Sequence, residues 1–301
     1  MESPAIESPA IEIPAIESPG IIPWIVGGLG NQIFIVIAAW LAAKRNSCPM
    51  YLLQNPHSNN KHSSANYKES VFKHIGIHKD DEYSDQTMYR LLSNGYKIVH
   101  QNLHAFSQYS LDTDIPAIYK NYFQYYPPMK DHENEIRSLL LGGLFNYPTF
   151  TAFNAFTVFE NDAFLHIRRG DYVPLPHVHP LCPLSYYKDA LSRLHGLTSV
   201  KYVHVLSDDM DWVQRQSCWA EFTAEFGISF YFHKLDELST LALMSCCKGG
   251  AICANSSFSW WGAFLGAYSV RAPVFVPKRW IPVHPQVALF PEEWTVLDVS
   301  D

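Results

Sequence analysis

"GAICANSSFSWWGAFLGAY", residues 250–268, sets an apolar run of strand length, Gly250 to Ala254, directly before a serine-rich break and an aromatic, small-residue run. The break, Asn255 to Ser257, offers side chains that cap a helix, and Ser257 to Tyr268 reads as that helix. Backbone amides in a first helical turn form a ready anion site, so a pyrophosphate fits there without a metal. Trp260 and Trp261 read as core, because Gly262, Ala263 and Gly266 beside them suit close helix packing. A buried strand followed by a helix is half of a βαβ unit, and its neighbours repeat the pattern. Strand-like runs at Ala163 to Ile167 and Lys201 to Leu206 alternate with helix-like segments at Ser185 to His195 and Leu235 to Cys247. Such alternation predicts an α/β fold with a parallel sheet.

Ligands of open parallel sheets bind beyond the carboxyl ends of the strands. After the first strand stands "HIRRGD", His166 to Asp171. A side-chain period of two puts His166 and Arg168 on one face, and Ile167 and Arg169 on the other. Arg168 offers a fork of donors for phosphate; the alternative is an Arg168 to Asp171 ion pair closing a turn at Gly170. After the second strand stands "SDDMD", Ser207 to Asp211. Here three readings stay open: Asp209 and Asp211 on a divalent cation, Asp208 or Asp209 accepting from a guanine, or a plain helix cap.

At the other end of the chain, "GGLGNQIF", residues 27–34, follows an apolar run from Ile21 to Val26. This run reads as a buried strand with Pro23 near its start, Gly27 to Asn31 as a turn, and Gln32 to Arg45 as a helix. A dinucleotide loop needs a third glycine near position 33, where Ile33 stands, and no GK[ST] ending of a P-loop follows. The loop reads instead as a close-approach turn at a cleft with Asn31 its functional residue, or with Asn31 as a helix N-cap. From Asn46 to Thr149 the signals are mixed and polar and no catalytic motif stands out; Phe150 to Asp162 reads as a junction. The N-terminus repeats ESPAI, ESPAI, EIPAI, ESPGI from Glu2 to Ile21, and a proline in every copy predicts an extended or disordered leader.

Composition narrows the function classes. With 48% hydrophobic and 17% charged residues over 301, the chain is long and apolar enough for two α/β lobes. A net charge of -7 without a Lys/Arg block argues against nucleic acid as partner. The six cysteines form no CxxC pair, which suits a reducing compartment. Ile33 to Ala43 is too short to span a bilayer, so no transmembrane segment and a cytoplasmic location are expected.

"GGLGNQIF", "HIRRGDYV", "SDDMDWV" and "NSSFSWWGAFLGA", in this order, together with "SYYKDAL", resemble the α-1,2-fucosyltransferase family, glycosyltransferase family 11. The resemblance covers nearly everything except the leader. It implies a GT-B-like fold of two Rossmann-like lobes with a donor/acceptor cleft between them: a leader over 1–20, an acceptor-side lobe over 21–150 and a GDP-fucose-binding lobe over 151–301. It also implies inverting transfer of L-fucose from GDP-fucose to the 2-hydroxyl of a β-galactoside, with no cofactor and no divalent metal. Carried over, Arg168 contacts the donor pyrophosphate, as do Ser256, Ser257 and Phe258. His166 and Asp208 or Asp209 contact guanosine, Ser207 and Asn255 complete the donor set, and Asn31 faces the cleft from the other lobe. Asp171 either takes the acceptor proton or orients Arg168. Two departures stand out: Ile33-Phe34-Ile35-Val36 replaces the family's usual Met-Phe-Gln-Tyr, and the ESPAI leader stands where animal members carry a membrane anchor, as expected of a soluble microbial or viral type. A GDP-sugar transferase of other linkage or acceptor, and a non-catalytic glycan-binding protein, are the rival readings.

Overall fold

A computed structural model describes residues 18–54, 67–101, 109–146, 159–280 and 288–299. Residues 1–17 of the expected 1–20 leader and most of the expected junction lie outside the described residues. The second half holds β6 (Asp162–Ile167), β7 (Tyr202–Ser207), β8 (Ser229–His233), β9 (Gly250–Ile252), β10 (Val274–Pro277) and β11 (Thr295–Leu297). All pair in parallel, in the order β11-β10-β9-β6-β7-β8. Counted from β6 this is the doubly wound order 3-2-1-4-5-6, whose direction reverses between β6 and β9. The intervening helices are α4 (Leu184–Leu197), α5 (Met210–Gln214), α6 (Cys218–Phe226), α7 (Glu237–Cys246) and α8 (Ser257–Leu265), the last followed by a 3-10 turn at Ala267–Val270.

The region that gave no clear pattern also folds as parallel α/β structure. β1 (Ile21–Pro23), β5 (Ala117–Tyr119) and β4 (Lys97–Val99) form one sheet, and β2 (Tyr51–Gln54) pairs with β3 (Ile77–Glu82). A parallel bridge from Ile21 to Met50 joins the two pieces edge to edge. The helices are α1 (Leu29–Arg45), α2 (Asp85–Ser93) and α3 (Glu133–Phe145). Two Rossmann-like lobes of the GT-B kind result. Pro23, expected near the start of its strand, is its last residue: it has no N–H to give, and Trp24 N–H makes the next bond, to Tyr119 O at 2.8 Å. Helix α1 starts three residues earlier than the pattern suggested, with Gly28 as N-cap, so Asn31 lies inside its first turn and is not the cap.

Helices α1 and α8 carry the lobes' contact. The Phe34 ring lies 4.8 Å from Trp260 and 4.9 Å from Trp261, both tryptophans are fully buried, and Trp261 Nε1 donates to Gly30 O at 3.0 Å. A buried tryptophan removes on the order of 200 Å² from water, roughly 5 kcal/mol at ~25 cal/mol per Å², against about 1 kcal/mol for one hydrogen bond. Apolar packing therefore holds the lobes together, and the polar contacts set their register. Close approach of the lobes needs a small residue, since a Cβ on Gly30 would sit only 2.4 Å from Phe258 N; within the second lobe a Cβ on Gly262 would sit 2.4 Å from Met244 Sδ of α7.

Candidate active site

Strands β9, β6 and β7 are neighbours, so their three carboxyl ends meet at the point where the strand order reverses. A cavity of about 720 Å³ opens there. Asn31, His166, Arg168, Asp171, Ser207, Asp208, Asn255, Ser256, Ser257 and Phe258 line it; Asp209 does not.

The β6 end has the alternation read from sequence. Ile167 packs into the core on one side of the sheet, while His166 and Arg168 face the cavity. Arg168 is gripped from two sides: Nη2 lies 2.6 Å from Asp171 Oδ1 and Nη1 lies 3.2 Å from Asp208 Oδ2. The ion pair weighed for this turn therefore forms, beside a second one. Gly170 serves it by being small, since a Cβ there would lie 2.4 Å from Asp208 Oδ2. Its neighbour Arg169 points elsewhere, stacking 3.6 Å over the Trp212 ring with Nε 3.1 Å from Asp209 Oδ2. His166 is 3% exposed, and burial, then the Arg168 charge, hold its pKa down to about 3. It is neutral at physiological pH, able to donate at one ring nitrogen and accept at the other. His166 Nδ1 and Arg168 Nε are both buried without a hydrogen-bond partner.

At the β9 end Ser256 is the N-cap of α8, its Oγ accepting from Phe258 N–H at 3.3 Å. Asn255 borders the cavity but its amide is spent: Nδ2 donates to Pro180 O at 2.7 Å and Trp280 O at 3.3 Å, tying loops together. The Ser257 hydroxyl donates to Asn31 Oδ1 at 2.7 Å, across the cleft. At the β7 end Asp208 takes the Arg169 N–H at 2.9 Å. Asp209 caps α5 through Trp212 N–H at 3.2 Å and pairs with Arg169, while Asp211 lies 3.6 Å from Lys234. The two halves of the DxD thus face different cations, and the helix-cap reading describes Asp209.

Several cavity residues escaped the sequence reading. Glu237, in the first turn of α7, accepts the Leu29 N–H of the opposite lobe at 3.3 Å with one oxygen and the Tyr67 hydroxyl with the other. A glutamate at a helix start reads as a dipole partner for its own helix, and nothing local marks it as reaching another. Tyr122, Gln124, His179 and Trp280 also line the cavity. Gln124 left one trace, a lone amide inside the aromatic run Tyr122 to Tyr126.

Comparison with known proteins agrees with this layout. The family model "Glycosyl transferase family 11" matches residues 67–294. Two curated Escherichia coli relatives are similar: the O-antigen biosynthesis glycosyltransferase WbnK, 33% identical over 141 residues (44% of each chain), and an alpha-1,2-colitosyltransferase, 35% identical over 123 residues (40% of this chain, 41% of the relative). Each match spans less than half the length of the relative. Arabidopsis thaliana FUT1, solved in complex with GDP, shares the fold at a TM-score of 0.50 and 10% identity, over 92% of this chain and 73% of that one. Among the described residues no helix is long and apolar enough to cross a membrane. With three-quarters of its length under the family model, motif order and cavity in agreement, the chain belongs to glycosyltransferase family 11.

Proposed function

We propose that the protein transfers L-fucose, with inversion and without a divalent cation, from GDP-β-L-fucose to the 2-hydroxyl of a β-galactoside. The observation that carries this reading is that His166 and Arg168, which line the cavity beside the Ser256 helix start, each hold a buried nitrogen without a partner, Nδ1 and Nε. Leaving such groups unpaired costs roughly 1–3 kcal/mol each, and a nucleoside diphosphate supplies oxygens for them. In transfer, the acceptor oxygen bonds to the fucose C1 and gives up its proton to a departing phosphate oxygen or to water, while the bond from C1 to the β-phosphate oxygen breaks and its electron pair leaves with GDP. Arg168 and the amides at the start of α8 are donors already in place for that charge, the task a metal otherwise performs. Asp171, 2.6 Å from the Arg168 guanidinium, serves by orienting it. Of the two acids weighed for guanosine, Asp208 lines the cavity, with its oxygens on Arg168 and the Arg169 N–H, and Asp209 does not line it; the Asn255 amide, expected in the donor set, is held by loop carbonyls.

A thermal-shift series with GDP, GDP-fucose, GDP-mannose, UDP and NAD, each with and without EDTA, is the first test, followed by transfer to lactose and linkage analysis of the product. Stabilisation by GDP and GDP-fucose that survives EDTA, and an α-1,2 product, is the expected result. Transfer of a different GDP-sugar, such as the colitose named for one relative, shifts the reading to another donor on the same scaffold. Nucleotide binding without any transfer moves the glycan-binding alternative ahead.

A further inference from the structure

The orientation of the Asn31 amide follows from a chain of hydrogen bonds that begins at a group with no choice. The Trp280 indole only donates. Its Nε1 lies 3.3 Å from Gln124 Oε1, which fixes that atom as the acceptor and puts Gln124 Nε2 on the opposite side. There Nε2 donates to Asn31 Oδ1 at 2.8 Å, and the Ser257 hydroxyl donates to the same oxygen at 2.7 Å. Gln124 and Trp280 are 5% and 4% exposed, so neither can trade these partners for water. With its oxygen taken twice, Asn31 keeps its Nδ2 for the other side, beside Gly27, where it borders the cavity.

We propose that Gln124 is a positioning residue: relaying the fixed polarity of Trp280, it makes Asn31 face the cleft as an N–H donor and never as a carbonyl acceptor. The atom this selects on the substrate is an oxygen with a lone pair to share, a phosphate oxygen or a sugar oxygen; a carbonyl turned the other way would repel it. The inference rests on the transferase reading only for its consequence in rate, since the orientation itself stands on the hydrogen bonds.

Gln124→Glu tests it with almost no change in shape. The new carboxylate, when ionised, still accepts from Trp280 but holds no proton for Asn31, so the amide turns over and Ser257 accepts where it donated. Burying a carboxylate at a 5% exposed position should lower the melting temperature, and at a pH where that carboxyl is ionised kcat should fall about 100-fold, the usual worth of one preorganised donor. Because a protonated carboxyl donates again, the ratio of variant to wild-type kcat should climb as pH is lowered, a profile a merely structural role does not give. The side-chain 1H–15N amide pair of Asn31, identified by its loss in Asn31→Asp, should shift in Gln124→Glu whether or not an acceptor is known. Retention of more than about a tenth of wild-type transfer, or an unmoved Asn31 amide pair, overturns the proposal. If Gln124→Glu fails to fold, Trp280→Phe frees Gln124 to turn, and an unchanged Asn31 resonance in that variant overturns it equally. A wild-type enzyme inert toward every GDP-sugar sinks the transferase reading instead, while the amide pair still decides on Gln124.

Discussion

The starts of α1 and α8 face one another across the cleft, and they are the same device made from different residues. Each follows a parallel strand, and each brings the positive end of a helix, roughly half a charge, to the cavity. At α8 the cap is local: Ser256 takes one amide. At α1 the cap Gly28 offers no side chain, and the Leu29 amide is taken by Glu237 from the other lobe. A helix end that already holds a carboxylate of its own chain has no electrostatic use for a phosphate. The glycine-rich turn therefore serves contact, through Gly30 against Phe258, and under the proposed function anion binding falls to the serine-rich start with Arg168. Glycine content alone does not reveal which helix end takes the anion.

Four substitutions break or sharpen this contrast. The largest effect belongs to Arg168→Ala, which should cut transfer on the order of 100-fold or more in steady-state assays; activity above about a tenth of wild type would remove Arg168 from the anion site. Next, Gly30→Ala forces a methyl into the Phe258 backbone and should lower stability by roughly 1–3 kcal/mol in urea titration, whereas an unchanged midpoint means that the helices do not need this approach. Ser256→Ala should cost about 1 kcal/mol of stability and also weaken GDP binding measured calorimetrically. Smallest is Glu237→Gln, which keeps an acceptor for Leu29 but loses the charge: about 0.3–1 kcal/mol of stability, with GDP affinity unchanged. A loss of GDP affinity matching that of Ser256→Ala would show that the two helix starts do not differ.

Legibility in the sequence tracked how locally each feature is encoded. Buried parallel strands such as Ala163 to Leu165 are continuous apolar runs, and the motif residues His166, Arg168 and Ser256 sit where those runs stop. The stretch from Asn46 to Thr149 hid because its strands are short and β3, "IHKDDE", is polar along an edge with no period-two signal. Glu237 and Tyr67 stayed hidden for another reason: they meet across 170 residues, and neither carries a local sign of the meeting. In "SDDMD" the sequence leaves Asp208 and Asp209 equivalent, and only the fold separates them: Asp208 lines the cavity while Asp209 caps the helix behind it.

The aromatic contact of Phe34 with Trp260 and Trp261 bears on how this protein is re-engineered. One hydrophobic cluster runs from α1 through α8 and draws side chains from both lobes. Neither lobe is then a detachable module: cut apart, each exposes half of a shared interior. A chimera that borrows an acceptor lobe from a relative inherits the task of refitting the Phe34 knob to the two indoles, and exchanging single loops at the cavity rim leaves that fit untouched.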